Sequence, residues 1–527
     1  MHLFLVGPPG IGKSTVAPLL AELLGATALD LDTEIERRAA KACDRIIRED
    51  GMPRFRALES ESLVRLAPTH AVVVVATGGG APLEDANRRR MRALGSCIGL
   101  TGNAATVARG IAATLGRRGH LDVPPRVHAA RVLRERRGVY ADVDATFSVD
   151  HVPPGDVARA VAAWLVASRG LRFDVDGSRP YPILVRAGLL EHAGSHLADL
   201  GWSGRVAIVA DTLTARRLAP IVAASCGAAG ITTTTISVPR GERAKSIAGL
   251  ERLWRAFARA GIGRDGAVIA LGGGTVGDLA GFAAATYLRG IRYAQVPTTL
   301  LAMVDSSIGG KTGIDLAAGK NLAGAFWAPD VVLADPAVLG SLPRRQRASG
   351  LAEVTKSAFL ADRLAVAQVE RSVGPVLEGD LGPTVGAIAL AVSLKSAIVG
   401  RDEREAGSRE LLNFGHTFGH AYEAGSAYRA THGEAVSIGM VFAAALAEHL
   451  DLVPAAFRER LERILSAAGL PVRARIPART TRFLIADKKV RAGKVRWILP
   501  RAIGRFSEVT DVGSASLAAA ARVVESR

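Results

Sequence analysis

Leu3-Phe-Leu-Val6 runs into Gly7-Pro-Pro-Gly10-Ile-Gly12-Lys13-Ser14-Thr15, and an apolar-periodic segment follows (Val16, Leu19, Leu20, Leu23, Leu24). This is a short buried strand, a glycine-rich turn of the form G-x-x-x-x-G-K-[ST], and a helix. Glycines at Gly10 and Gly12 let backbone N–H groups turn onto phosphate oxygens at the start of a helix whose dipole favours anions. In this reading Lys13 meets the β/γ-phosphates, Ser14 coordinates Mg2+, and Thr15 continues the cradle. The stretch predicts an α/β unit with a parallel sheet and helices on both faces.

A second strand–glycine–helix unit lies at Ala267-Val-Ile-Ala-Leu271 followed by Gly272-Gly273-Gly274-Thr-Val-Gly277-Asp278. Val206–Ala210 ends at Asp211, suited to a ribose hydroxyl, and Thr233–Val238 precedes Gly241-Glu242-Arg-Ala-Lys245. These predict a Rossmann-like dinucleotide domain. After about Pro336 long helical patterns such as Gly433–Leu450 take over, so the last third is expected to be mostly α-helical. The expected domains are 1–167, a Gly/Pro-containing linker at 168–182, a nucleotide-binding α/β domain at 183–335 and a helical metal-binding domain at 336–527.

The chain has 527 residues, 49% hydrophobic and 22% charged, which excludes long disorder. Its net charge is +17, and only ten of the 67 basic residues are lysine. Neither part carries a dense basic block with interleaved aromatics, so nucleic acid is not an expected partner. Three cysteines without a C-x-x-C pair fit a reducing cytoplasm. The turn at Gly7 leaves no room for a secretory leader, and no apolar run is expected to reach the ~18 residues of a membrane span.

Asn413-Phe-Gly-His416-Thr-Phe-Gly-His420 sets two imidazoles on one helical face, and His432-Gly-Glu434 follows. The spacing allows zinc held by His416, His420 and His432, or by two of them with a carboxylate. Pro297-Thr298-Thr299 through Asp305, Gly-Gly-Lys311-Thr-Gly and Gly-Lys320-Asn321, with Leu351-Ala-Glu353-Val-Thr-Lys356, Lys395 and Arg409, is too polar and glycine-rich for plain core.

These motifs closely resemble 3-dehydroquinate synthase over residues ~180–527. The resemblance implies an NAD- and zinc-dependent (or cobalt-dependent) enzyme that makes 3-dehydroquinate and phosphate from 3-deoxy-D-arabino-heptulosonate 7-phosphate. It implies metal ligands Glu353, His416 and His432, with His420 a pocket base or hydrogen-bond partner. It implies NAD contacts at Asp211, Glu242, Lys245, Gly273, Gly274, Asp278, Thr298 and Thr299. Asp305, Lys311, Lys320, Asn321, Lys356, Lys395, Arg409, Asn413 and Lys488 (or Lys489) would surround the sugar acid. Arg289, from a neighbouring loop or subunit, would reach the phosphate. A homodimer through this unit is implied.

In the first unit, Asp30-Leu-Asp32 at a strand end, Phe55-Arg56-Ala-Leu-Glu59, Gly78-Gly79-Gly80 and Arg136-Arg-Gly-Val-Tyr140 resemble shikimate kinase over residues 1–165. The resemblance implies Asp32 on the shikimate hydroxyls, Arg56 and Arg136 on its carboxylate, Gly79 and Gly80 against the acceptor, and Asp30 near Mg2+. Arg118 would be the lid arginine over ATP. The lid departs from the family's Arg-Pro-Leu-Leu as Arg118-Gly-His-Leu121, the usual Arg-x-Pro-Leu-Tyr reads Arg136-Arg-Gly-Val-Tyr140, and Met52 follows Asp50-Gly51 where an acidic residue is common. The alternatives are a weak or regulatory kinase-like unit beside an active synthase, a related sugar-phosphate cyclase, or a metal-dependent alcohol dehydrogenase, against which the lysine motifs argue.

Overall fold

The computed structural model describes residues 1–118, 123–317, 319–426, 429–480, 490–491 and 494–526. The chain forms two compact units, Met1–Leu165 and Val166–Arg527.

In the first unit the strands are β1 (His2–Val6), β2 (Thr27–Asp30), β3 (Val73–Ala76), β4 (Gly95–Thr101) and β5 (Ala145–Ser148). They form one parallel sheet in the order β2-β3-β1-β4-β5. Every residue of β1 and β3 is buried, as their continuous apolar runs require of strands covered on both faces. Helix Lys13–Leu23 leaves β1 through the glycine turn, with Gly12 in the left-handed region (φ 97°) as its N-cap.

The second unit has, among the described residues, a seven-stranded sheet. It contains β6 (Leu171–Val175), β7 (Tyr181–Val185), β8 (Arg205–Asp211), β9 (Thr232–Val238), β10 (Ala267–Gly272), β11 (Arg292–Pro297) and, after the two strands of a hairpin, β14 (Val332–Ala334). The hairpin is β12 (Lys311–Leu316) with β13 (Gly319–Phe326). The sheet order is β6-β7-β14-β11-β10-β8-β9, parallel except for β6 at the edge. The expected linker at 168–182 therefore needs correction: a helix runs on to Arg169, Leu171–Val175 pairs antiparallel with Tyr181–Val185, and a turn over 176–180 joins the two strands. Glycine and proline there mark a hairpin turn.

Among the described residues, long helices follow at Arg344–Ala361, Arg363–Glu378, Leu381–Arg401, His432–His449 and Ala455–Ala467. This part is mostly helical, as expected, and short strands return near its end: β15 (Val490–Arg491) pairs with β16 (Lys494–Val495), and β17 (Trp497–Ala502) with β18 (Arg505–Val509). Leu381–Arg401 also corrects the expectation about membrane spans, since it is long and apolar enough to cross one, with a mean hydropathy of 1.5. Its apolar window is 78% buried inside the protein, as for a core helix, and the same helix carries Lys395.

Two close approaches set the geometry of the helical part. A Cβ on Gly433 would collide with the backbone of Ser349, and Gly433 N–H donates to Ser349 Oγ at 3.0 Å. A Cβ on Gly439 would collide with the carbonyl of Gly415. Helix His432–His449 is thus pressed against both the helix bearing Glu353 and the one bearing His416. Its start is fixed by a capping box: Thr431 Oγ1 accepts from Glu434 N, and Glu434 Oε2 accepts from Thr431 N. Arg345 grips the same Glu434 with two bonds of 2.7 and 2.8 Å, tying the helix of Glu353 to the helix of His432.

Candidate active sites

In the first unit the glycine turn curls around its own lysine. Lys13 is buried, and its Nζ donates to the carbonyls of Gly7 (2.8 Å) and Pro8 (2.9 Å). Gly10 and Gly12 have φ of 76° and 97°, a backbone that suits a phosphate cradle. Ser14 and Thr15 stand exposed at the first turn of the helix. Asp30 and Asp32 do not alternate along a strand. The strand ends at Asp30, whose Oδ1 accepts from Asp32 N (2.9 Å) and Thr33 N (3.3 Å) and so caps the helix in which Asp32 sits.

The three glycines at 78–80 are hemmed in by side chains. A Cβ on Gly78 would strike the Glu59 carboxylate and stand 3.1 Å from Asp32 Oδ1; on Gly79 it would lie 2.8 Å from Pro9; on Gly80 it would overlap the Arg56 guanidinium. The carbonyl of Gly79 accepts from Tyr140 Oη (2.6 Å) and Arg136 Nη1 (3.3 Å). Asp32, Arg56 and Arg136 thus converge on one turn. Glu59, which the motif contained without a role, pairs with Arg56 from full burial; burial pushes its carboxyl up, against the pull of Arg56. Arg118 ends helix Ala104–Arg118, and its side chain, like residues 119–122, lies outside the described residues.

The second unit has a cleft of about 1560 Å³. It opens at the carboxyl ends of β8, β10 and β11, where open parallel sheets bind ligands, and reaches across to the helices. Asp211, Glu242, Lys245, Gly273, Gly274, Asp278, Thr298 and Thr299 line it, as do Asp305, Lys311, Lys320, Asn321, Lys356, Lys395, Arg409, Asn413, His416, His420 and His432. Arg289 does not. It lies in an exposed turn, with both Leu288 and Arg289 at positive φ (51° and 68°). Lys488 and Lys489 lie outside the described residues.

At the nucleotide end, Gly273 caps helix Gly274–Thr286 beyond β10. A Cβ on Gly274 would stand 2.8 Å from Ser306 Oγ, a buried hydroxyl with no hydrogen-bond partner among the described residues. A bare helix start beside an orphaned hydroxyl fits a dinucleotide's phosphates. Asp211 Oδ1 accepts from Leu213 N at 2.8 Å and caps the next helix. Lys245 donates to Asp278 at 2.8 Å and also bonds Asn321. Burial raises Asp278 to about 6 against the pull of Lys245, and it would lower Lys245, which Asp278 and Glu242 hold above its ordinary value.

In the helical part, Glu353, His416 and His432 bring one ligand atom each within 4.8 Å of one another. Glu353 Oε1 lies 3.2 Å from His432 Nε2 and 3.5 Å from His416 Nε2. Two imidazoles and one carboxylate fit a catalytic zinc with an open position. The group of three is completed by the Glu353 carboxylate and not by His420. The His420 ring lies 5.2 Å from that of His416 and 6.0 Å from that of His432. Glu353 also pairs with Lys356. Burial would raise Glu353, but Lys356 and His432 together hold the carboxyl low.

Facing the metal group are paired charges. Lys395 Nζ donates to Asp305 Oδ1 (2.5 Å) and to its carbonyl (2.6 Å); burial would raise Asp305, yet Lys395 and Lys356 hold it well below the carboxylate range. Arg409 Nη2 donates to Gly309 O at 3.0 Å. Glu405 pairs with Lys311 and accepts from Asn413 Nδ2 at 3.0 Å. Glu423 accepts from Lys320 Nζ at 2.8 Å and faces His432. Sequence reading did not single out Glu405 or Glu423. Glu423 could have been found, because it lies seven residues after His416 and shares the face of His416 and His420.

Comparisons with known proteins agree with this division. Residues 9–165 match the family model described as shikimate kinase. Residues 235–349 match 3-dehydroquinate synthase N-terminal, and residues 350–490 match 3-dehydroquinate synthase C-terminal. A 3-dehydroquinate synthase from Symbiobacterium thermophilum is 45% identical over 344 residues, 64% of this chain and 95% of that protein. One from Nitrobacter winogradskyi is 46% identical over 349 residues, 64% of this chain and 91% of that protein. Among solved structures, the 2-epi-5-epi-valiolone synthase ValA of Streptomyces hygroscopicus subsp. jinggangensis, with NAD+ and Zn2+ bound, is 29% identical, with a TM-score of 0.61, over 67% of this chain and 99% of that one.

Proposed function

The chain belongs to the 3-dehydroquinate synthase family and carries a shikimate kinase domain in front of it, and on that premise we propose an enzyme with two working active sites in aromatic (chorismate) biosynthesis. The second unit converts 3-deoxy-D-arabino-heptulosonate 7-phosphate into 3-dehydroquinate and phosphate. The first phosphorylates shikimate with ATP. The observation that carries this reading is the cleft in which a bare glycine helix start, a His2Glu metal group and a ring of paired lysines face one another.

When bound, NAD takes up and returns a hydride, zinc polarises the hydroxyl that releases it, and Mg2+ screens the ATP phosphates. Glu353, His416 and His432 would hold the zinc, and Gly273, Gly274 and Ser306 the dinucleotide phosphates. Ser14, with Asp30 nearby, would hold Mg2+. Lys311, Lys395 and Arg409 supply the cations that a carboxylated phosphate monoester needs. Glu405 beside Lys311 and Asp305 beside Lys395 hold those ammonium groups in place until substrate oxygens replace the contacts. Asn321 and Asn413 orient hydroxyls, and His420 and Lys356 stand where a proton can move to or from the substrate.

In the kinase site, Arg56 and Arg136 clamp the shikimate carboxylate, Asp32 accepts from its hydroxyls, and Glu59 fixes the Arg56 fork. Gly79 and Gly80 allow the acceptor close to the backbone. Arg118 and Lys13 neutralise the transferring phosphate. A domain limit at 335/336, a cytoplasmic location, and a homodimer in which Arg289 serves a neighbouring subunit complete the reading.

A paired assay on the intact chain tests it. Phosphate release from the heptulosonate phosphate should require zinc and NAD and vanish in His432→Ala, while shikimate phosphorylation vanishes in Lys13→Ala. Phosphate release with no phosphorylation by the parent chain would reduce the first unit to a docking or regulatory module. Turnover of a different sugar phosphate in place of the heptulosonate would make the second unit a related cyclase.

A further inference from the structure

In the metal centre proposed above, Nε2 of each imidazole that faces Glu353 would bind the ion, and the proton of each would then sit on Nδ1. What fixes that proton differs between them. His416 Nδ1 lies 3.2 Å from the carbonyl of Phe414, a backbone acceptor two residues away. His432 Nδ1 faces Oε2 of Glu423 at 3.8 Å. The other oxygen of that carboxylate accepts from Lys320 Nζ at 2.8 Å, and Lys320 reaches on to Glu242 at 3.3 Å on the nucleotide side of the cleft. Glu423 is buried and belongs to the same helix, His416–Gly425, that supplies His416.

We propose that Glu423 is a positioning residue of the metal centre. With the ion bound, its carboxylate would close the 3.8 Å gap and accept a hydrogen bond from Nδ1–H of His432, which directs the Nε2 lone pair at the ion and makes the imidazole a stronger donor. Lys320 shares the carboxylate from the other side and offsets the second negative charge that Glu353 and Glu423 together place near one cation. One helix thereby supplies the first imidazole and orients the second. The hairpin β12–β13 is tethered to the metal centre through Lys320.

The inference rests on the metal centre proposed above, and the test separates the two. Zinc affinity of the full chain is measured by competition with a chromophoric chelator, with shikimate phosphorylation by the same preparation as the folding control. Glu423→Ala is expected to weaken zinc binding about 10- to 100-fold. Glu423→Gln, whose amide oxygen still accepts from Nδ1 but carries no charge, should lose less than Ala. Lys320→Met, which keeps the carboxylate and removes its other partner, should hold zinc within about threefold, since the orienting bond is intact. Zinc affinity of Glu423→Ala within twofold of the parent, beside a large loss in His432→Ala, would overturn the role of Glu423 alone. Equal losses in Lys320→Met and Glu423→Ala would also overturn it, because the effect would then follow the charge network and not the imidazole. Affinity unchanged even in His432→Ala would overturn this role and the metal centre with it.

Discussion

The two candidate sites are built in opposite ways. The kinase site is made of backbone: a turn wrapped round Lys13, and Gly78–Gly80 pressed so closely by Pro9, Arg56 and Glu59 that no Cβ fits. The synthase site is made of side chains from distant segments, held in opposite-charge pairs: Lys395 with Asp305, Lys356 with Glu353, Lys245 with Asp278, Lys311 with Glu405. A transferred phosphoryl group needs many fixed N–H dipoles at close range, which glycine supplies. A carboxylated sugar phosphate undergoing several proton and hydride steps needs groups that carry and exchange charge. The first kind of site should fail when an atom is added, the second when a charge is taken away.

The largest effect should come from removing a charge. In Lys395→Met, the half-buried Asp305 carboxylate loses its charged partner, a change worth about 1–3 kcal/mol. Synthase turnover should fall by at least about 10³-fold. Thermal unfolding should show the loss in the second unit, with shikimate phosphorylation within twofold of the parent; equal losses in both activities would break the comparison. Adding one methyl should come next. Gly80→Ala forces the Arg56 guanidinium aside, and the KM for shikimate should rise about 10- to 100-fold, about 1.4–2.7 kcal/mol, with phosphate release by the synthase unchanged. An unaltered KM in Gly80→Ala would mean that Arg56 does not hold the acceptor.

A third variant probes how the synthase site is braced from outside. Arg496 pairs with both Glu410 and Glu508, and the carbonyl of Arg496 accepts from Thr417 Oγ1 at 3.1 Å. Phe506 packs on Phe414 with ring centres 4.9 Å apart. The late strands β17 and β18 therefore clasp the segment Ser408–His416 that bears Arg409, Asn413 and the first imidazole. Arg496→Met should cost about 1–2 kcal/mol of stability and raise the KM for the heptulosonate phosphate several-fold with little change in kcat. A fall in kcat with KM constant would assign Arg496 a part in the chemistry.

The same contrast explains what the sequence disclosed. Gly7–Thr15 and Ala267–Asp278 are readable because a backbone cradle is local: the glycines, the lysine and the helix start lie within a dozen residues, and their spacing is the mechanism. Glu353 has no such signal. It stands 63 residues before His416, and the packing of Gly433 on Ser349 with the Arg345–Glu434 pair brings it to His432. From the residues alone, the third metal ligand stayed open between His420 and a carboxylate, and the family resemblance decided it. Glu59, Glu405 and Glu423 escaped notice because a single glutamate in a helix or loop looks like solvated surface until its buried partner is seen. The strands after Trp497 were missed because they form a short hairpin late in a helical region, where two turns of alternating pattern do not outweigh a helical background. The stretch 168–182 was misread for a related reason: Gly170, Gly177 and Pro180 signal a turn in a linker and in a hairpin alike.

That hairpin yields the smallest and most diagnostic prediction. Its turn does not hang free. Ser178 donates to the Glu403 carboxylate from its backbone N (3.1 Å) and its hydroxyl (2.8 Å). Tyr181 Oη accepts from Gly309 N at 2.9 Å, and Gly309 O accepts from Arg409. Asp402 beside it accepts from three backbone N–H groups of the loop that ends at Arg409. The first strands after the kinase unit thus brace the loop that aims Arg409 into the synthase cleft. Ser178→Ala removes the hydroxyl bond and leaves the backbone bond, so about 0.5–1.5 kcal/mol is at stake. If the turn positions Arg409, that loss appears as a two- to tenfold rise in the KM for the heptulosonate phosphate, with kcat and shikimate phosphorylation unchanged. If the turn is only a connection, KM stays put and the loss is confined to the unfolding temperature of the second unit.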